Sequence, residues 1–364
     1  MTAAFSKPGP RDCLTDVAGL LVGHHHELDD DAAMGSGSAT GCTVVRVLGG
    51  ATAAVDVRGG GPGTRETDLL DPSHSVQQVD AILLTAGSAY GLAAADGVMR
   101  WLEEHEQGIP MGSPAHVVPI VPAAVIFDLP VGDWAARPTA EFGYRAAATA
   151  ATEFATGSVG AGVGARAGVL KGGVGTASTV IEGGPADGVT VAALMVVNPV
   201  GAVFDPRTGL LWGTGTLGPA DFGMRNPDVD EVRTAAALEP KATALNTTIG
   251  VVATDAPLSS ASCKRIAVAG HDGLARAIRP AHSPLDGDTV FAVSTGTRGT
   301  RAVTAESSVP AAFSPELPVL AAVTEAAAIV VERAIVRALL DATSVAGIPT
   351  YRQIFPSAFM ASRP

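Results

Sequence analysis

Charge is scarce in this chain. Only 16% of the 364 residues are charged against 47% hydrophobic, the formal net charge is −12, and the basic residues are scattered. Without a run of Lys or Arg there is nothing to neutralise consecutive phosphates, which excludes nucleic acid as an expected partner. The three cysteines, Cys13, Cys42 and Cys263, form no CxxC pair, so neither a zinc site nor a disulfide framework is indicated; reduced thiols in a cytoplasmic protein are expected. The N-terminus, MTAAFSKPGPRDCLTDV, lacks the apolar core of a signal peptide. The longest uncharged stretch, Gln107 to Phe127, carries Pro110, Pro114, Pro119 and Pro122, which would break a spanning helix, so no membrane segment is read.

What is present is Ala, Gly and branched apolar residue in quantity, in a chain long enough to bury a large core without metal or disulfide. So few long polar side chains remain for the surface that burial against further copies is expected, a homo-oligomer. From Leu14 to Val57, short apolar runs (Val17 to Val22, Cys42 to Leu48, Ala51 to Val57) separated by glycines predict short strands. Leu92, Ala95, Met99 and Leu102 recur at helical spacing and predict a helix over Ser88 to Glu104. A second helix is expected over Ala140 to Phe154, and strand with connections over Gly108 to Pro130. Val189 to Phe204, interrupted at Asn198-Pro199, predicts two strands about a turn. The polar stretch from Leu217 to Leu245 has no sustained periodicity and is read as a mobile loop. Ile249 to Ala253 and Val290 to Ser294 read as strands, Ser260 to Ile278 as a helix capped by Ser259 or Ser260, and Leu317 to Ala342 as a helix buried on most faces. Strands and helices in segregated runs predict a layered α+β fold.

Several motifs exclude themselves. Lys171 follows Leu170 rather than a glycine, so the GxxxxGK[ST] phosphate loop is absent, and Gly160, Gly162 and Gly164 miss the dinucleotide spacing. His24, His25 and His26 would point to alternating faces of a strand and could not easily ligate one metal together. The segment Arg58 to Asp68 (RGGGPGTRETD) is either an ordinary turn or the rim of a site.

The segment ALNTTIGVVATDAPL (244–258) is where a polar stretch meets an apolar strand at two successive threonines. On residue type alone Thr247 and Thr248 are ordinary β-branched strand residues. Asp286-Gly287-Asp288, Asn198-Pro199 and Lys171 likewise read as two turns and a surface charge.

Four stretches change this reading: LTDVAGLLVGHH (14–25), DVRGGGPGTRETDLL (56–70), GSAYGLAAADGVMRWLEE (87–104) and NTTIGVVATDAPLSSASCKRIAVAGHDGLARAI (246–278). In this order they resemble the DmpA/NylC family of self-processing hydrolases, which includes β-peptidyl aminopeptidases and nylon-oligomer hydrolase. The resemblance implies a four-layer αββα sandwich of the N-terminal-nucleophile type, shared with ornithine acetyltransferase, as one domain over 1–364. It implies autocatalytic cleavage between Asn246 and Thr247, giving chains 1–246 and 247–364, with Thr247 as the nucleophile. Asn198, in VVNPVGAV, resembles the family asparagine that helps form the oxyanion hole. Lys171, in VLKGGVGTAS, resembles the active-site lysine of the nylon-oligomer branch, and Asp286 and Asp288, in PLDGDTVF, its paired aspartates, expected to orient the new amine and to hold Lys171. The family tyrosine has no secure match: Phe127 is a candidate occupant but lacks a hydroxyl, and the role is left open. The expected activity is hydrolysis of a small peptide or other amide, with no cofactor or metal, in a tetramer of processed units; acyl transfer on the same fold is the alternative.

Overall fold

The computed structural model describes residues 5–113, 115–238, 246–298, 310 and 312–359. Ten strands form its main sheet system: β1 (Phe5–Lys7), β2 (Leu20–Leu28), β3 (Ala39–Val57), β4 (Thr64–Arg65), β5 (Gln78–Thr85), β6 (Ala123–Val125), β7 (Gly173–Glu182), β8 (Thr190–Asn198), β9 (Thr247–Thr254) and β10 (Thr289–Ser294). They follow one another in space as β1-β7-β8-β9-β10-β3-β5-β6-β4, with β2 also on β3. Five helices matter for the layers: α1 (Ala94–Glu104), α2 (Ala140–Ala148), α3 (Val229–Ala236), α4 (Ser260–Ala277) and α5 (Leu317–Leu340).

Successive side chains of a strand point to opposite faces, and here both faces are covered. Ile249, Val251 and Ala253 of β9 share one cluster with Leu194 and Val196 of β8, Phe291 and Val293 of β10, and Val45, Val79, Ile82 and Leu84 from the opposing layer. The alternate residues, Val252 of β9, Met195 and Val197 of β8, and Val290 and Ala292 of β10, pack with Ile266 and Leu274 of α4 and Val330 and Ile335 of α5. A third cluster sets Val44 of β3 and Ala81 and Leu83 of β5 against Val98 and Leu102 of α1 and Phe142 of α2. The layers are therefore α1/α2, sheet, sheet, α4/α5, the expected αββα sandwich. Double coverage also explains why β8, β9 and β10 read as continuous apolar runs, with every residue buried.

One strand joins the two sheets. The runs expected as separate strands are one 19-residue strand, β3, whose register against β5 shifts between Arg46 and Ala51. Gly49 and Gly50, at φ 76° and 73°, make that bulge, which bends a strand without ending it. The first part of β3 pairs with β2 and β5, and its last residues pair with β10, Val57 opposite Thr289.

Other boundaries moved for local reasons. Ser88–Ala93 is 3-10 helix leading into α1, and α2 stops at Ala148 rather than Phe154. After Asn198 the chain makes only isolated bridges, Ala202 with Arg279 and Phe204 with Leu211, instead of a second strand; Pro199 has no N–H for a ladder. Within the stretch read as a loop lies α3, whose first turn carries Asp230 and Glu231 against the helix dipole, a signal of charge placement rather than apolar period. Residues 239–245 of that stretch lie outside the described residues. Ser259 caps α4, accepting from the Ser262 N–H at 3.4 Å. No helix among the described residues is long and apolar enough to cross a membrane.

Candidate active site

The topology brings distant residues to one end of one sheet. β7 and β8 are antiparallel, as are β8 and β9, while β9 and β10 run parallel. The start of β7, the end of β8 and the starts of β9 and β10 thus lie together. Asn198 ends β8 and Thr247 begins β9, the Asp286-Gly287-Asp288 turn leads into β10, and Lys171, in a two-residue ladder with Arg166, lies just before β7. Asn198 is the register partner of Thr247, and Asn246 bridges Asp286.

Thr247 is 4% exposed, and its hydroxyl donates to the carbonyl oxygen of Asn246, the peptide expected to break. The Gly287 N–H points at both partners, 3.1 Å from Thr247 Oγ1 and 3.1 Å from the Asn246 oxygen. A donor at that distance is placed where a tetrahedral intermediate would develop negative charge. Gly287 contributes only its backbone, so side-chain reasoning passed over it. A Cβ there would lie 2.8 Å from Thr247 Oγ1 and 2.9 Å from the Gly61 oxygen, which requires glycine.

Asn198 is fully buried and anchored at both ends of its amide: Oδ1 accepts from the Arg166 N–H at 2.9 Å, and Nδ2 donates one hydrogen to the Phe127 carbonyl at 3.1 Å. Phe127 thus contributes its main chain, and its ring packs at 6.2 Å on Trp134. Asp288 accepts from the Thr248 N–H through Oδ1 at 2.8 Å and from His282 through Oδ2. Asp286 accepts from the Ser283 N–H at 3.0 Å, and the main chain of Val200 also acts on its buried carboxylate. Burial, and then the neighbouring Asp288, push its carboxyl pKa upward.

Lys171 is 0% exposed, and its ammonium donates to the Gly162 and Gly172 carbonyls at 2.7 and 2.9 Å. The expected grip by Asp286 and Asp288 is not what holds it. The carboxylate that acts on its charge is Asp128, itself accepting from the Gly87 N–H at 2.8 Å. Burial pulls the lysine pKa down to about 7, with Asp128 opposing that shift.

The segment left open between turn and rim packs on the acidic turn. Arg58 and Gly59 N–H groups donate to the Asp288 carbonyl, and Gly61 N–H to that of Asp286, at 3.0, 3.3 and 2.8 Å. A Cβ on Gly59 would lie 2.3 Å from the Asp286 oxygen. Away from this end, His24 bonds Thr43 at 2.9 Å while His25 packs edge-on against Phe142, so the histidine run is divided between neighbours. No group of three His, Cys, Asp or Glu among the described residues could hold a metal.

Residues 12–352, a span containing all of these groups, match the model of peptidase family S58. The chain belongs to that family. An uncharacterized aminopeptidase of Mycobacterium tuberculosis is 58% identical over 350 residues, covering 95% of this chain and 98% of its own length. The 6-aminohexanoate-oligomer endohydrolase of a Kocuria species is 34% identical, covering 77% of this chain and 74% of its own. Among solved structures, a Burkholderia beta-aminopeptidase superposes with TM-score 0.71 at 24% identity, covering 97% of this chain and 94% of its own, a likeness of fold. As an S58 member the chain is a hydrolase of peptide or other amide bonds. The acyl-transfer alternative gains no support from these relatives.

Proposed function

We propose that this S58 hydrolase cuts its own chain between Asn246 and Thr247 and then uses Thr247 as the nucleophile toward an external amide. The observation that carries the reading is the Gly287 N–H, 3.1 Å from both the Thr247 hydroxyl and the Asn246 carbonyl oxygen.

In the first reaction Thr247 Oγ attacks the Asn246 carbonyl carbon, the oxyanion is held by Gly287 with Asn198 supporting the wall of the site, and the C–N bond breaks to leave an ester. Water hydrolyses that ester, giving a carboxylate on Asn246 and restoring the hydroxyl beside a new α-amine. An α-amine titrates near pKa ~8, so it takes the hydroxyl proton at neutral pH where a lysine in water would not. Asp286, which bridges Asn246 at the junction, is the acceptor proposed for that amine. In the second reaction Thr247 attacks the substrate carbonyl, the leaving amine takes the proton, and water releases the acid. Lys171, whose pKa of about 7 leaves it partly protonated at neutral pH, contributes positive charge to the anionic intermediates in its protonated form.

The substrate proposed is a short linear amide, since two relatives carry the names aminopeptidase and 6-aminohexanoate-oligomer endohydrolase. We also propose that the two chains stay in one domain and that processed units assemble, as a tetramer. Exposed apolar side chains support assembly, Met111 at 60% and Val118 at 43% on one small hairpin. Three buried free cysteines support a cytoplasmic setting. Short α-, β- and ω-amino-acid amides, assayed against wild type, Thr247→Ala and Thr248→Ala, test the activity. Wild type and Thr248→Ala should turn over at least one class, with Thr247→Ala down by about 10³-fold or more. Equal turnover by Thr247→Ala would remove the proposed nucleophile.

A further inference from the structure

Asp288 is gripped by a histidine that the two reactions leave unused. His282 reaches the same carboxylate oxygen twice, through its main-chain N–H at 3.0 Å and through Nδ1 at 2.8 Å. A carboxylate only accepts, so Nδ1 carries the proton. The other oxygen is left to the Thr248 N–H at 2.8 Å, and Thr248 directly follows the nucleophile.

The imidazole is itself held. The ring of His271, on α4 and 0% exposed, meets it nearly perpendicularly with centroids 4.8 Å apart. His271 Nε2 lies 3.0 Å from the Asp56 carbonyl, and the Asp56 carboxylate gathers Arg58 and Lys264 at 2.8 Å each. Burial pushes the His271 pKa down to about 4, so it presents a neutral ring, with Nε2–H donating to the carbonyl. His282 also sits at φ 58°, in the left-handed backbone region that few side-chain-bearing residues adopt, histidine more often than most.

We propose that His282 is a positioning residue for Thr247: its imidazole locks one oxygen of Asp288 so that the other fixes the first residues of β9, with His271 and Asp56 as its backing. The inference rests on Thr247 as nucleophile. A carboxylate free to turn would let the start of β9 drift from the Gly287 N–H, and displacements of this kind slow chemistry more than binding.

His282→Gly removes the imidazole, keeps the main-chain N–H and meets φ 58° without strain. His282→Asn restores a donor near the Nδ1 position and tolerates the same backbone region. The glycine variant should lose kcat by about tenfold to a hundredfold, the size of one lost charge-assisted hydrogen bond, with KM within about threefold and slower self-cleavage. The asparagine variant should recover most of that loss. Full kcat in the glycine variant would overturn the proposal, as would equal losses in both variants that follow a common fall in Tm. Thr247→Ala, run alongside, separates the two readings: an active Thr247→Ala overturns the nucleophile, whereas an inert one beside a fully active His282→Gly overturns the positioning role alone.

Discussion

A lysine with no exposed surface is a costly residue to keep, and Lys171 is kept at the end of the sheet that carries Thr247. Its pKa of about 7 lies below the usual 10.5, so between these values the unfolded chain holds a proton that the folded chain has released. Wild-type stability should therefore rise with pH across that window, and the slope is absent from a variant with no titrating group there. Urea unfolding of wild type and Lys171→Met at pH 7 and 9 is the measurement: wild type should gain on the order of 2 kcal/mol relative to the variant, while amide hydrolysis in the variant falls at least tenfold. Parallel stabilities would show that the lysine is not desolvated. At this scale the side chains proposed to carry chemistry were named from the family resemblance, and the fold brings Asn198, Thr247 and the Asp286–Asp288 turn together. Partners that act through backbone or through another residue were not legible in the sequence. Gly287 and the Phe127 carbonyl supply main-chain atoms, and Asp128 and His282 lie in unremarkable local contexts, so residue type carried no signal of their contacts.

The element that decides the shape of the site is the turn 58–61, which lies directly on 286–288. Two of its glycines are required for approach: a Cβ on Gly59 would meet the Asp286 oxygen at 2.3 Å and the Asp288 nitrogen at 2.4 Å, and one on Gly60 the Pro284 oxygen at 2.5 Å, all backbone atoms, whereas one on Gly61 would find nothing nearer than 3.8 Å. Gly59→Ala should push the acidic turn away from Thr247 and slow self-cleavage by about a hundredfold, while Gly61→Ala processes as wild type; denaturing electrophoresis of freshly made protein reads both. Complete processing of Gly59→Ala would show that the turn tolerates displacement. The same contrast between local and long-range information governs the secondary structure. α4 and α5 were legible because a cap or a sustained apolar composition lies within each segment. β3 was read as two pieces because two glycines look like a turn, and only pairing with β5 and β10 on its two parts shows that the strand continues.

At the scale of the whole molecule, the segment after the proposed cut is not an appended domain. β9 pairs with β8 along its length, from Val191 opposite Thr254 to Asn198 opposite Thr247, and β10 pairs with β3. β9 and β10, which follow the proposed cut, are thus enclosed between β8 and β3, which precede it, and α4 and α5 close the core over both. The layered α+β class was legible from the order of elements, while the αββα arrangement came from the resemblance, since periodicity does not say which faces meet. The interlocked ladders mean that cleavage should separate the chains in denaturant and leave them together without it. Intact mass of freshly purified wild type and Thr247→Ala, under native and denaturing conditions, tests the central claim most directly. The account predicts that denatured wild type splits into chains 1–246 and 247–364 that remain associated natively, and that Thr247→Ala stays whole. A wild-type protein that hydrolyses amides as one uncut chain would contradict it.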